Sequence, residues 1–283
     1  MPAEIRFGQQ PDRRMCHTAG VGTSRAVPPL PAATLVLLRD RPGGGVETLL
    51  VQRHLASKFA GGDFAFPGGK IEPDDNPDDA AAWCTGPGVE AAARMLGLGD
   101  RAGALGYWIG AIREAFEEVG VLLARGPGGV VPRTDTARFG EYRRACQRDN
   151  RAFWAMVHAE GLRLVTDRLT YFAHWITPEE RPLRFDTRFF AAEMPCDQEP
   201  SPDEHEIIAL RWLSPADALA ARQRGEISLR LPTMENLALL EAGSSVAEVL
   251  RSLSARPVPT IRPRLVIEAG SQRALLPGDP GYH

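Results

Sequence analysis

Glu114, Glu117 and Glu118 fall inside one five-residue window, Glu114-Ala115-Phe116-Glu117-Glu118. On a helix, offsets of three and four send all three side chains off one face, with neighbouring Cβ atoms about 5–6 Å apart. Like charges so placed oppose helix formation by roughly 0.2–0.5 kcal/mol per pair unless positive charge sits among them. A hard divalent cation would supply it, and an all-carboxylate donor set suits Mg2+ or Mn2+ better than Zn2+. The plain alternative is a solvated acidic face. Two neighbours weigh against it: Gly120-Val121 stops the helix directly after the triplet, and a glycine-rich turn, Pro67-Gly68-Gly69-Lys70, lies upstream.

Side chains that hold an ion need a rigid support, and the sequence offers one. The apolar runs Ala32–Arg39 and Glu47–Arg53 read as strands joined through the turn residues 40–45. Phe64-Ala65-Phe66 is a short extended piece leading into the glycine turn. Helical periodicity predicts short helices over 79–83 and 89–98 and a firm one over 107–119, which carries the carboxylates. Residues 136–159 predict one or two amphipathic helices. Strands are expected over 169–176, 187–194 and 207–213. Helices follow over 215–224, over 233–240 with Thr233 as cap and Glu235 in the first turn, and over 245–253. Strands paired partly in hairpins and interleaved with helices imply an α/β fold, a mixed sheet covered on both faces. Gly68-Gly69 lacks the third glycine of a dinucleotide-binding turn.

With 283 residues, 43% of them hydrophobic, the chain can bury the core of one embellished domain. Residues 1–28 read as a flexible N-terminal arm and 29–283 as the domain. A formal net charge of -3 offers no field for gripping nucleic acid, and no nucleic-acid partner is expected. No window approaches a membrane span, and none is expected. Cys16, Cys84, Cys146 and Cys196 have no metal-knuckle spacing; without a basic-then-apolar leader, a cytoplasmic protein with reduced thiols is the expectation. No sequence feature fixes an oligomeric state.

Phe66-Pro67-Gly68-Gly69-Lys70-Ile71-Glu72-Pro73-Asp74-Asp75 and Arg113-Glu114-Ala115-Phe116-Glu117-Glu118-Val119-Gly120-Val121 together resemble the two halves of the Nudix hydrolase box. The second half matches at every fixed position. The first departs twice: Asp75 stands where the box has its first Glu, and 37 residues rather than seven separate Asp75 from Arg113. An insertion at this point resembles the subgroup containing coenzyme A diphosphatases. Trp175-Ile176-Thr177-Pro178, Arg184–Phe190, Leu231-Pro232-Thr233 and Leu276–Pro280 also fit that subgroup.

The resemblance implies a Nudix-like α/β/α sandwich with a mixed sheet and two helical embellishments, a box insertion at about 76–106 and a helical insertion at about 136–159. It also implies a Mg2+- or Mn2+-dependent diphosphatase acting on a small nucleotide substrate. Glu114 and Glu118 become metal ligands, Glu117 a ligand or the base for the attacking water, and the Gly69 carbonyl a further ligand. Arg113, placed among the catalytic residues, is expected to point away from Glu114 and anchor the helix on Glu72 or Asp75. Glu206, six residues before Trp212, becomes a second metal-reaching or basic residue, with Glu204 its rival. Arg53, Arg184 and Arg188 are the substrate-binding arginines. His174, inside an apolar strand, reads as a bonded core residue.

Coenzyme A or its thioesters, cleaved to 3',5'-ADP and a 4'-phosphopantetheine product, are the leading substrates. NADH, ADP-ribose or a nucleotide sugar would need the same metal chemistry. A non-catalytic Nudix-like binding module is the contrasting class. The intact Glu triplet argues against it, and Asp75, a carboxylate one methylene shorter than Glu and with less reach toward Arg113, argues weakly for it.

Overall fold

The computed structural model describes residues 27–57, 60–99, 101, 103–268 and 271–282; most of the expected N-terminal arm lies outside the described residues. The chain forms β1 (Leu30–Asp40), β2 (Val46–Arg53), β3 (Phe64–Ala65), β4 (Gly68–Lys70), α1 (Val89–Leu96) and α2 (Gly106–Val119). There follow β5 (Ala124–Arg125), α3 (Ala137–Cys146), α4 (Arg151–Ala159), β6 (Arg163–Leu164), β7 (Thr170–Ile176), β8 (Phe185–Glu193) and β9 (Ile207–Leu213). The last elements are α5 (Pro215–Gln223), α6 (Leu231–Leu239), α7 (Val246–Ser254), β10 (Thr260–Ile261), β11 (Arg264–Glu268) and β12 (Ser271–Leu275).

β1 is the organising strand. It runs parallel to β8 and antiparallel to β2 and β4, which share its other edge: β4 takes Ala32–Thr34 and β2 takes Leu38–Asp40. The sheet is therefore mixed, and β7 and β10 extend it beyond β8 while β9 and β3 extend it beyond β2. Alternation along β1 splits the core in two. Ala33, Leu35 and Leu37 pack with α1–α4, whereas Val36 and Leu38 pack with α5–α7. Both faces are covered, making an α/β/α sandwich.

The carboxylate helix α2 owes its position to apolar residues on almost every side, with Trp108, Ile109, Ile112, Ala115, Phe116 and Val119 all buried. Burial of the large side chains among them stabilises by about 1.5–3 kcal/mol each. Gly120 ends the helix in the left-handed region at φ 71°, its N–H returning to Ala115 and Phe116 carbonyls. In the box insertion Ala92, Ala93, Leu96 and Leu105 are buried while Met95 is exposed.

Two expectations about the later part of the chain need correction. Thr233 does not cap α6: the helix begins two residues earlier, with Arg230 at the cap and Pro232 in the first turn, so Thr233 is buried inside it and Glu235 lies beyond that turn. Proline, whose missing N–H costs nothing at a helix start, sets the boundary instead. The two-stranded ribbons β5–β6 and β11–β12 are also unanticipated.

Candidate active site

The interrupted box closes in space. A 3-10 turn at Pro73–Asp75 lays Asp75 against α2. There Arg113 Nε donates to Asp75 Oδ1 at 2.6 Å and Nη2 to Oδ2 at 3.0 Å. The two side chains are 2% and 1% exposed, so this is a desolvated, bidentate ion pair. The shorter carboxylate thus does reach Arg113, because the turn itself carries it there. Arg113 also does not point away from Glu114: Nη1 donates to Glu114 Oε1 at 2.9 Å and to Glu117 Oε2 at 3.0 Å, and Nη2 to the Lys70 carbonyl at 2.9 Å. The planar fork is large enough to face the turn and the carboxylates at once. Arg113 is therefore a positioning residue: it fixes two carboxylates from behind.

The glycine turn approaches α2 closely. Gly68 N–H donates to Glu118 Oε2 at 3.0 Å. A Cβ on Gly69 would lie 2.5 Å from Glu114 Oε1, so only glycine leaves that carboxylate its place. From the neighbouring strand Arg53 spans Glu118 Oε1 and Glu206 Oε2, each at 3.5 Å. Glu206 is held by its backbone. Its carbonyl accepts from His54 N–H at 2.7 Å, and its N–H donates to Asp203 Oδ1 at 3.1 Å. Glu204, the rival, takes a left-handed φ of 64° and does not line the cleft.

Glu114, Glu117, Glu118 and Glu206 open together on one cleft of about 380 Å³, whose other walls are Arg144, Gln147, Arg148, Asp203 and His205. Burial pushes Glu114 upward from the ordinary carboxylate range against the opposing charge of Arg113. Burial and the Glu114 charge raise Glu118 well above it despite Arg53 and the Gly68 N–H. Burial raises Glu117 to about 8, the Arg113 charge opposing. Three crowded, desolvated acids short of positive charge suit a hard cation. Glu117 Oε1 is buried with no hydrogen-bond partner, one oxygen available for ligation. As they stand, no three His, Cys, Asp or Glu side chains among the described residues converge in ligating geometry. Arg113 Nη1 and Arg53 hold the inner oxygens of the triplet in its place.

Arg184 and Arg188 are not brought to this cleft. Arg184 is buried and donates to the Thr177 carbonyl at 3.1 Å and the Val27 carbonyl at 2.6 Å. Arg188 shares a register row with His174, Ala33 and Gly69, two strands and hence about 10 Å from the glycine turn. It pairs with Asp186, donates to the Leu96 carbonyl at 3.4 Å and stacks over Tyr107, bracing the box insertion on the sheet. His174 bonds Asp186 at 2.7 Å and Thr260 at 2.8 Å. Arg144, Gln147 and Arg148 were not singled out from the sequence; their spacing of three and four at the end of α3 and in the turn after it was the available signal.

The NUDT19 Nudix domain family matches residues 99–240, half of the chain, and the NUDIX domain family matches residues 29–82. The boundary between the two falls in the box insertion. The chain belongs to the Nudix hydrolase family. Its enzymatic class is that of a Nudix-type diphosphatase, a pyrophosphohydrolase of nucleotide-derived diphosphates. It is 29% identical to the acyl-coenzyme A diphosphatase NUDT19 of Gallus gallus over 89% of this chain and 79% of the relative. Against the enzyme of the same description from Homo sapiens the identity is 28%, over 86% and 74%. A solved NUDIX hydrolase from Alicyclobacillus acidocaldarius is 30% identical and superposes with a TM-score of 0.69, covering 81% of this chain and 99% of that one. Among the described residues no helix is long and apolar enough to cross a membrane.

Proposed function

We propose that the chain hydrolyses the diphosphate of coenzyme A or acyl-coenzyme A, giving 3',5'-ADP and (acyl-)4'-phosphopantetheine. The observation that carries the hydrolytic part is the meeting of Glu114, Glu117, Glu118 and Glu206 on one cleft, with Glu117 Oε1 buried and unpartnered. The substrate assignment draws support from the 28–29% likeness to acyl-coenzyme A diphosphatases over most of both chains, with the box split by an insertion.

Glu114, Glu117 and Glu118, with the Gly69 carbonyl, would hold Mg2+ or Mn2+. A bound divalent cation polarises phosphoryl oxygens and acidifies water. The chain's own residues do the rest. Arg113 orients Glu114 and Glu117 from the buried side, and the Gly68 N–H orients Glu118. Glu117, whose Oε1 has no partner in the protein, takes a proton from the attacking water. Arg53, paired with both Glu118 and Glu206, would meet a phosphate oxygen of the substrate.

Incubating purified protein with Mg2+ or Mn2+ and a panel of coenzyme A, acetyl-coenzyme A, NADH, ADP-ribose and a nucleotide sugar tests this, with products identified by mass. Coenzyme A species should be cleaved well ahead of the others, to the two products named. Comparable or faster cleavage of NADH or ADP-ribose would overturn the substrate assignment.

A further inference from the structure

α3 belongs to the helical insertion, outside either half of the box, yet it is fastened to the carboxylate helix. Arg143 Nε donates to the Glu117 carbonyl at 3.0 Å and Nη2 to the Glu118 carbonyl at 2.8 Å. The same guanidinium reaches Ser201 Oγ at 3.0 Å and its carbonyl at 2.9 Å. Gln147 Nε2 adds a bond to the Glu117 carbonyl at 2.9 Å. These donors cap the last turn of α2, whose carbonyls have no partner within the helix. The result is a rigid link between α3 and the turn that bears Glu117 and Glu118.

Its neighbours Arg144 and Arg148 are engaged differently. Arg144 on the last turn of α3 and Arg148 in the turn just after it both line the cleft on which the carboxylates open. Both are exposed, and among the described residues neither guanidinium has a hydrogen bond or an ion pair. The cleft is thus acidic where α2 lines it and carries two unpaired guanidinium groups where α3 and the turn after it line it. Paired guanidinium forks match phosphate oxygens, and two of them balance the nearly double charge of a phosphomonoester. The non-bridging oxygens of a diphosphate linkage carry one charge per phosphorus and belong at the opposite wall, with Arg53 and the carboxylates.

We infer that Arg144 and Arg148 form an anion subsite for a phosphomonoester of the substrate lying outside the scissile diphosphate. The inference deepens the proposed function and rests on it. The helical insertion then selects nucleoside diphosphate conjugates that bear an additional phosphate over those that lack it.

The test compares wild type with the double variant Arg144→Ala/Arg148→Ala, using coenzyme A and 3'-dephospho-coenzyme A in Mg2+. In parallel, calorimetry follows 3',5'-ADP and 5'-AMP binding. The variant should melt with wild type, since both side chains are exposed and unpaired. Its kcat/KM ratio, coenzyme A over the dephospho form, should fall at least about tenfold, chiefly through KM. Affinity for 3',5'-ADP relative to 5'-AMP should fall by a similar factor. An unchanged ratio, or equal losses on both substrates, would overturn the subsite. If wild type cleaves neither substrate, the proposed function fails alone. The calorimetric arm still decides the subsite: selective loss of 3',5'-ADP binding upholds it, while unchanged binding, or none in wild type, overturns it.

Discussion

Arg113 and Asp75 lie 38 positions apart in the chain and form a bidentate pair at 2.6 and 3.0 Å in which neither side chain is more than 2% exposed. This pair rejoins a box that the sequence splits. It also has consequences for stability, because a buried guanidinium is tolerable only while its counter-charge is present. Burial works to lower the Arg113 proton affinity, yet the Asp75 hydrogen bonds and the charges of Glu114, Asp75 and Glu117 hold it well above its ordinary value.

Asp75→Ala should therefore destabilise the fold by about 3 kcal/mol, the low end for breaking a buried ion pair, since Arg113 keeps Glu114 and Glu117. Urea unfolding measures it, with the midpoint moving and the slope unchanged. A loss below about 1 kcal/mol, the size of an exposed pair, would show that the turn is held by something else.

Gly69→Ala separates geometry from stability. The added Cβ would come within 2.5–2.6 Å of the Glu114 carboxylate, the far end of a flexible side chain, so Glu114 gives way and the backbone stays. Turnover should fall about 10²-fold, the order expected for an ångström of misplacement, while the melting temperature stays within a few degrees. Full activity in this variant would remove Glu114 from the site.

Much of this was legible before folding. The α2 triplet, the glycine turn and the β1–β2 pair announce themselves through local spacing, and α2 carries its own stop signal in Gly120. The Arg113–Asp75 contact was foreseen in kind but not in reach, because a 3-10 turn rather than side-chain length sets the distance. Arg184 and Arg188 misled because an arginine suited to phosphate is equally suited to backbone carbonyls and an aspartate, and only long-range packing decides which it meets. Arg144 and Arg148 were invisible for the same reason in reverse: nothing local to α3 says that Arg143 will fasten it beside Glu117. The C-terminal ribbon β11–β12 carries weak apolar alternation, and Ile267 is largely exposed, so it gave little hydrophobic signal.

The acidic cluster makes stability depend on pH and on the cation. Glu117, raised to about 8, and Glu114 and Glu118, raised likewise by burial, hold protons more tightly folded than unfolded. Such groups contribute fully below the ordinary carboxylate range, and the contribution fades as pH climbs through the folded values, for Glu117 near 8. Cation-free protein should accordingly melt at a lower temperature at pH 9 than at pH 6. Mn2+ should raise the melting temperature more at pH 9, and its binding at pH 7 should release protons, read by calorimetry in two buffers of different ionisation enthalpy. A flat melting temperature between pH 6 and 9 that ignores Mn2+ would contradict both the crowding and the ligation.

Glu117→Gln and Glu206→Gln distinguish the two proposed proton acceptors. Glutamine at 117 keeps an oxygen for Arg113 Nη1 and cannot take on the charge that burial disfavours, so the cation-free variant should be at least as stable as wild type at pH 9, where Glu117 ionises. Its kcat should nonetheless fall by about 10²–10⁴-fold, the usual weight of a positioned general base. Glu206 is 63% exposed and bound to the cleft through Arg53 at 3.5 Å, so its substitution should cost an order of magnitude or less, mainly through KM as Arg53 loses one partner. Reversal of that ranking, with near-normal turnover after Glu117→Gln and a collapse after Glu206→Gln, would transfer the proton-accepting role to Glu206. It would leave Glu117 with ligation alone. The acid limb of the kcat/KM profile provides the independent reading, since it should disappear only in the variant that has lost the base.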